Sequence, residues 1–209
     1  TFNLTGGSVT TETLDLAAGT LNFTGGQLFA DTVVGDLVVD GGELCPGCSP
    51  GTMSIDGNLT LSSGSILVEL GGTCQGSEYD LLSVDGNLAL GGELNVVLYD
   101  LGGGMFQPTE GDVFDILDWT GTVTGQFDTL NLPTLGGDLA WNTRDLYIDG
   151  TIGAVPEPAT LSLLALGAIG LLRRKRYYQE HGSLKTTSKR GAAACGGGAH
   201  RTFNTPCSY

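Results

Sequence analysis

Positive charge is almost absent from the first 155 residues of this 209-residue chain, which hold 21 Asp and Glu against a single cation, Arg144. One arginine builds no phosphate-neutralising surface, so nucleic acid and anionic lipid headgroups are disfavoured partners. Histidine is missing from the same stretch, since His181 and His200 both lie further on. Its absence removes the base from Ser-His and Cys-His catalysis. It also leaves Cys45-Pro46-Gly47-Cys48 without a second ligand pair for zinc. A polysaccharide lyase would lack its usual cationic base. Charged residues make up only 15% of the chain while glycine occurs 35 times. Each glycine costs a helix about 1 kcal/mol relative to alanine, so a helical body is excluded.

What is present is a series of short alternating segments separated by glycine turns: Leu21/Phe23, Leu37/Val39, Leu59/Leu61, Ile66/Val68/Leu70, Leu88/Leu90, Leu94/Val96/Leu98 and Leu146/Ile148. A period of two puts one face inside and leaves the other to Thr, Ser, Asn and Asp. The segments also repeat. Ile55-Asp56-Gly57-Asn58-Leu59-Thr60-Leu61 returns as Val84-Asp85-Gly86-Asn87-Leu88-Ala89-Leu90, with looser copies at 19–28 and 35–44. A fixed turn at a regular offset marks a repeat stack, in which each unit buries its apolar face on its neighbours. The fold class expected is therefore all-β, a parallel β-helix, with a β-sandwich as the alternative. Repeats are expected over residues 1–101. From 102 to 154 the pattern becomes irregular and aromatic, through Phe114, Trp119, Phe127, Trp141 and Tyr147, as expected of a cap. Thr1 to Gly7 reads as the middle of a repeat, so a removed leader or, preferably, a fragment is expected.

The chain changes character at Val155. Pro156-Glu157-Pro158 is followed by an apolar run from Ala159 to Leu172 and then by Arg173, Arg174, Lys175 and Arg176. The run would make a helix of about 21 Å, short of the roughly 20 residues that a full membrane span needs. Order and composition closely resemble the PEP-CTERM sorting signal of Gram-negative bacteria. That resemblance implies that Pro156, Glu157 and Pro158 are the recognition motif of an exosortase, and that Arg173 to Arg176 are the basic stop, held in the cytoplasm by the positive-inside rule. It further implies export, transient anchoring in the inner membrane, then a place on the cell surface or outside, with exopolysaccharide as a matrix partner. Leu44 to Thr52, Tyr79 to Leu82 and Gly111 to Leu117 resemble the β-repeat ectodomains joined to such signals and related to autotransporter passengers. Residues 177–209 depart from that family and are expected to be an aberrant or unstructured extension.

No cofactor is expected. Asp112, Asp115 and Asp118 are the candidate carboxylates for glycan hydrolysis, but they read equally well as solvated positions beside Val113, Phe114 and Ile116. Asp56-Gly57-Asn58 and Asp85-Gly86-Asn87 offer oxygens to calcium without matching a known loop, and Asp-Gly is an ordinary turn pair. Trp119, Trp141, Tyr147 and Phe127 read as core or cap rather than as a sugar platform. In an oxidising compartment a disulfide is expected. Cys45 and Cys74 precede their Asp-Gly-Asn turns by the same distance and would stack if the offset between those two turns made one coil, with Cys45–Cys48 or Cys48–Cys74 as alternatives. The sequence thus leads to a non-enzymatic structural or adhesive surface protein, with the non-catalytic C-terminal part of a secreted glycan-active enzyme as the alternative.

Overall fold

The computed structural model describes residues 1–47 and 50–157. Fourteen strands and no helix occupy them: β1 (Phe2–Asp15), β2 (Leu21–Val34), β3 (Leu37–Pro46), β4 (Thr52–Asp56), β5 (Leu59–Leu70), β6 (Leu81–Val84), β7 (Leu88–Leu90), β8 (Glu93–Leu98), β9 (Val113–Asp115), β10 (Leu117–Trp119), β11 (Val123–Gly125), β12 (Thr129–Asn131), β13 (Leu139–Asn142) and β14 (Thr151–Pro156). Eleven of them form one sheet whose pairings are all parallel. The described body is a parallel β-helix, as the alternation and the repeat imply, and not a sandwich.

The register shows how the coils stack. Phe2 lies beside Leu21, Phe23 beside Val39, Leu37 beside Leu59, Leu59 beside Leu88, and Leu88 beside Val123. Successive coils along this column are thus 19, 16, 22, 29 and 35 residues long. The offset between the two Asp-Gly-Asn copies, 29 residues, is a true coil length, but it belongs to one coil of a series that lengthens from the second coil onward. From β2 onward nearly all of the added length enters on one flank, between β3 and β4, between β5 and β6, and between β8 and β10. Elsewhere register is kept by columns of buried side chains: Leu21, Leu37, Leu59 and Leu88; Leu28, Leu44, Ile66 and Leu94; Val33, Ile55 and Val84. All join one core, and each full burial of such a side chain is worth about 1.5–3 kcal/mol.

Two glycine positions make the close stacking possible. Gly86 follows β6 at a corner, and a Cβ there would overlap the carbonyl oxygen of Gly57 in the coil before it. Gly64 bends β5 with φ +90°, and a Cβ there would overlap the carbonyl oxygen of Gly42. The Asp-Gly-Asn corner is also tied laterally. Asn58 donates its backbone N–H (2.8 Å) and Nδ2 (2.9 Å) to Asp36 Oδ1. Asn87 repeats the pattern on Asn58 Oδ1 at 2.8 and 3.0 Å, and Thr122 closes it on Asn87 Oδ1 at 3.0 and 2.9 Å. These side chains form a ladder that runs from Asp36 through each coil to Thr122.

The parallel stack does not stop at residue 101, because β10, β11 and β12 continue it. Beside it, β13, β14 and β9 form a separate three-stranded antiparallel sheet. Leu146 and Ile148, which alternation assigns to a strand, lie instead in a turn closed by Ile148 N–H and Asp149 N–H on the Asp145 carbonyl at 3.0 Å each. Leu146 is buried while Ile148 is 70% exposed. The expected apolar helix falls outside the described residues.

The stacking account predicts a contrast between two alanine substitutions. Gly64→Ala meets a backbone oxygen and a left-handed φ that alone costs about 1–2 kcal/mol, so its thermal midpoint should fall by about 5 °C or more. Gly19→Ala, with nothing within 4 Å of its Cβ, should melt within about 1 °C of the parent. Equal midpoints in calorimetry would contradict the stacking.

Candidate sorting site at the end of the cap sheet

The antiparallel sheet is held to the stack through Phe114 of β9. Its ring meets Tyr79 (5.3 Å between centroids), Phe106 (6.0 Å) and Trp141 (6.1 Å), all edge-on. Such pairs add about 0.5–1.5 kcal/mol each beyond burial. Trp141 Nε1 donates to the Pro133 carbonyl at 2.8 Å. Phe127 and Tyr147 pack at 6.2 Å, and Phe127 N–H donates to the Tyr147 hydroxyl at 3.3 Å. The aromatics are thus structural.

Strand β14 is central in this sheet. It pairs with β9 through Thr151, Ile152 and Gly153, and with β13 through Gly153, Ala154, Val155 and Pro156, so that Pro156 faces Leu139. Ile152 and Ala154 are buried, Val155 is half-buried, and Pro156 and Glu157 are exposed. The Glu157 N–H donates to the Asp138 carbonyl at 2.8 Å. In an antiparallel ladder that bond makes Asp138/Glu157 a hydrogen-bonded pair and Leu139/Pro156 the non-bonded pair next to it. A proline has no N–H to give, so only the second kind of position suits it. Pro158 and the basic cluster Arg173, Arg174, Lys175 and Arg176 lie outside the described residues.

The three candidate carboxylates do not form a set. Asp112 Oδ2 accepts Thr109 N–H at 2.7 Å and Thr109 Oγ1 at 3.0 Å, which makes it a turn residue. Asp115 lies near Asp118 and Asp149; burial first, then those two charges, pushes its carboxyl above the ordinary range, and among the described residues its Oδ1 has no partner. In the repeated Asp-Gly-Asn turns Asn58 and Asn87 spend their side-chain oxygens on the corner, and Asp85 Oδ1 accepts Thr120 Oγ1 at 2.9 Å. Among the described residues no three acidic, Cys or His side chains converge on a metal position.

The Cys45–Cys74 bridge is not formed, and both are free thiols. Beside Cys45 the coil step is that of Glu43 to Ser65, 22 residues, so the longer offset of the Asp-Gly-Asn corners does not align the two cysteines. Cys74 instead sits exposed in a turn where Glu78 Oε2 accepts the Thr73 and Cys74 N–H groups at 2.9 and 3.0 Å. Cys48 lies outside the described residues. Cys45 is buried, and desolvation with the nearby Glu43, Glu69 and Asp80 pushes its thiol up to about 12.

Asp80 escapes sequence reasoning. It is 2% exposed, and it accepts Gly51 N–H at 2.6 Å on one oxygen and Glu69 N–H at 2.8 Å on the other. It thereby fastens the β5–β6 excursion to the segment before β4. Burial raises its carboxyl to about 7, outweighing the two amide donors that favour the anion. A carboxyl with a higher pKa in the folded than in the unfolded chain binds its proton more tightly when folded. Its contribution to stability therefore falls as pH rises from about 4 to about 7 and is level above, at up to about 1.4 kcal/mol per unit. Urea midpoints should show the parent gaining on Asp80→Asn as pH drops from 8 to 5. A difference between the two that is constant with pH would contradict this.

No curated protein and no solved structure matches the chain. Residues 154–176 match the PEP-CTERM protein-sorting motif, so the match begins inside β14 and takes in Pro156, Glu157, Pro158 and the whole basic cluster. That motif is the recognition element of an exosortase, and it implies export, transient membrane anchoring and a surface or extracellular destination. Residues 154–176 are thus a PEP-CTERM sorting signal, and it starts in β14, at the edge of a capped parallel β-helix.

Proposed function

We propose that this protein is a non-enzymatic structural or adhesive component of the surface of a Gram-negative bacterium, delivered by an exosortase and associated with the exopolysaccharide matrix. The observation that carries this reading is the direct succession of the sorting motif on an acidic β-helix. The positive-inside rule would hold Arg173 to Arg176 in the cytoplasm and leave the acidic body outside. The autotransporter-like character of the ectodomain belongs to this proposal as well.

One flank of the helix supports the matrix association. Gln27 Nε2 donates to Glu43 Oε2 at 2.8 Å, Ser65 Oγ donates to Glu43 Oε1 at 3.3 Å, and Asn95 Nδ2 reaches the same oxygen at 3.4 Å. Asn131 Nδ2 then bonds Asn95 Oδ1 at 2.8 Å and Glu93 Oε2 at 3.1 Å. A polar row held in place by its own hydrogen bonds suits neutral sugar hydroxyls better than acidic polymer, which the surplus negative charge would repel.

The test is cellular. In a bacterium that carries an exosortase, a chain with Pro156, Glu157 and Pro158 all replaced by alanine should accumulate unprocessed in the membrane fraction, while the parent appears shortened at the surface or in the medium. Identical processing of both on immunoblots would sink the sorting assignment.

A further inference from the structure

The match to the sorting motif begins at Ala154, and the folded body extends to Glu157. Motif and fold therefore overlap, with no intervening linker. Pro156 lies opposite Leu139, at the close Cα spacing of about 4.5 Å that non-bonded antiparallel pairs adopt. The next rung is closed by Glu157 N–H on the Asp138 carbonyl. An enzyme that reads three consecutive side chains must surround the strand that carries them, and extended peptides are usually gripped through their main-chain groups. With β13 in place, one edge of Val155, Pro156 and Glu157 is already occupied.

The same strand is divided into a part the core needs and a part it does not. Up to Ala154 the strand is locked on both sides: Ile152 and Ala154 are buried, the Gly111 N–H donates to the Ala154 carbonyl at 2.9 Å, and the Ala154 N–H donates to the Asp112 carbonyl at 2.9 Å. Beyond Ala154 the only neighbouring strand among the described residues is β13, and the last two side chains are exposed. Peeling residues 155–157 away thus removes the outer rungs and leaves the buried residues seated. Openings of this size lie at the low end of the local stability range.

We propose that β13 is a clasp on the sorting motif: the exosortase engages Pro156-Glu157-Pro158 only after residues 155–157 have unzipped from β13, so the folded cap sets the rate at which its own signal is processed. This rests on the sorting assignment above and adds a control element within the protein's own fold. Ala140 and Val155 form a hydrogen-bonded pair in the observed register, and such pairs have Cα atoms about 5.5 Å apart, inside the range of about 4.4–6.8 Å that disulfides span.

The experiment uses the full chain carrying Ala140→Cys and Val155→Cys in the exosortase host, with the crosslink verified by peptide mapping and processing followed by pulse-chase. The crosslinked chain should be processed at least about tenfold more slowly than the parent, because the opening is prevented. Reduction should restore the parental rate, and the chain with alanine in place of the three motif residues should stay unprocessed throughout. Processing of the crosslinked chain at the parental rate would overturn the clasp while leaving sorting intact. Processing of the alanine chain would overturn the sorting assignment instead. Should the double-cysteine chain fail to process even when reduced, Ala140→Pro replaces it. Loss of that ladder donor must then speed processing above the parent, and a parental rate there overturns the proposal.

Discussion

Backbone lies directly on backbone at the glycine corners, and every other feature of the body follows from that closeness. Where Gly86 covers Gly57, the neighbouring carbonyl occupies the space of a side chain. Only then do Asn58 and Asn87 reach the coil beneath with both the main chain and the amide group. The corners fix register, and the leucine, isoleucine and valine columns inherit it. Coils can therefore lengthen from 16 to 35 residues without disturbing the core, provided the extra residues leave on the one flank where no column is interrupted. The longer coils need fastening there, and Asp80 does so by accepting amides from two segments at once.

Much of this architecture is legible in the sequence, because local rules and the fold agree. Alternation locates Leu21/Phe23, Leu59/Leu61 and Ile66/Val68/Leu70, all of which are strand residues facing the core. The Asp-Gly-Asn repeat gives the correct partner for Leu59. Its limit is that the offset of one flank does not carry over to a neighbouring flank with a different coil length. The corner after β4 steps by 29 residues, from Asn58 to Asn87, yet β3 steps onto β5 by 22 residues, from Glu43 to Ser65, and this separates Cys45 from Cys74. Leu146 and Ile148 fail differently. Two apolar residues flanking Tyr147 satisfy a period of two equally well in a turn that buries only the first. Asp80 is hidden because nothing local distinguishes a carboxylate at a solvated turn from one enclosed between coils.

The sorting motif is the most readable element, since three features in fixed order carry it, and the family match covers the same residues. What the sequence does not disclose is that Pro156 and Glu157 also belong to the fold. A composition boundary at Val155 suggests a body that ends and a signal that begins. In the structure the two overlap within β14, and the cap that packs on the stack through Phe114 against Tyr79 also holds the start of the signal. The cap strand β13 is thus paired directly with the start of the signal, Ala140 on Val155 and Leu139 on Pro156.

Nuclear Overhauser contacts in isotope-labelled protein test the parallel stack and its register most directly. The account predicts backbone contacts between Ser54 and Ser83 and between Thr60 and Ala89, with partner numbers rising together along each strand pair. Contacts in which one number rises as the other falls would show antiparallel pairing and contradict the β-helix.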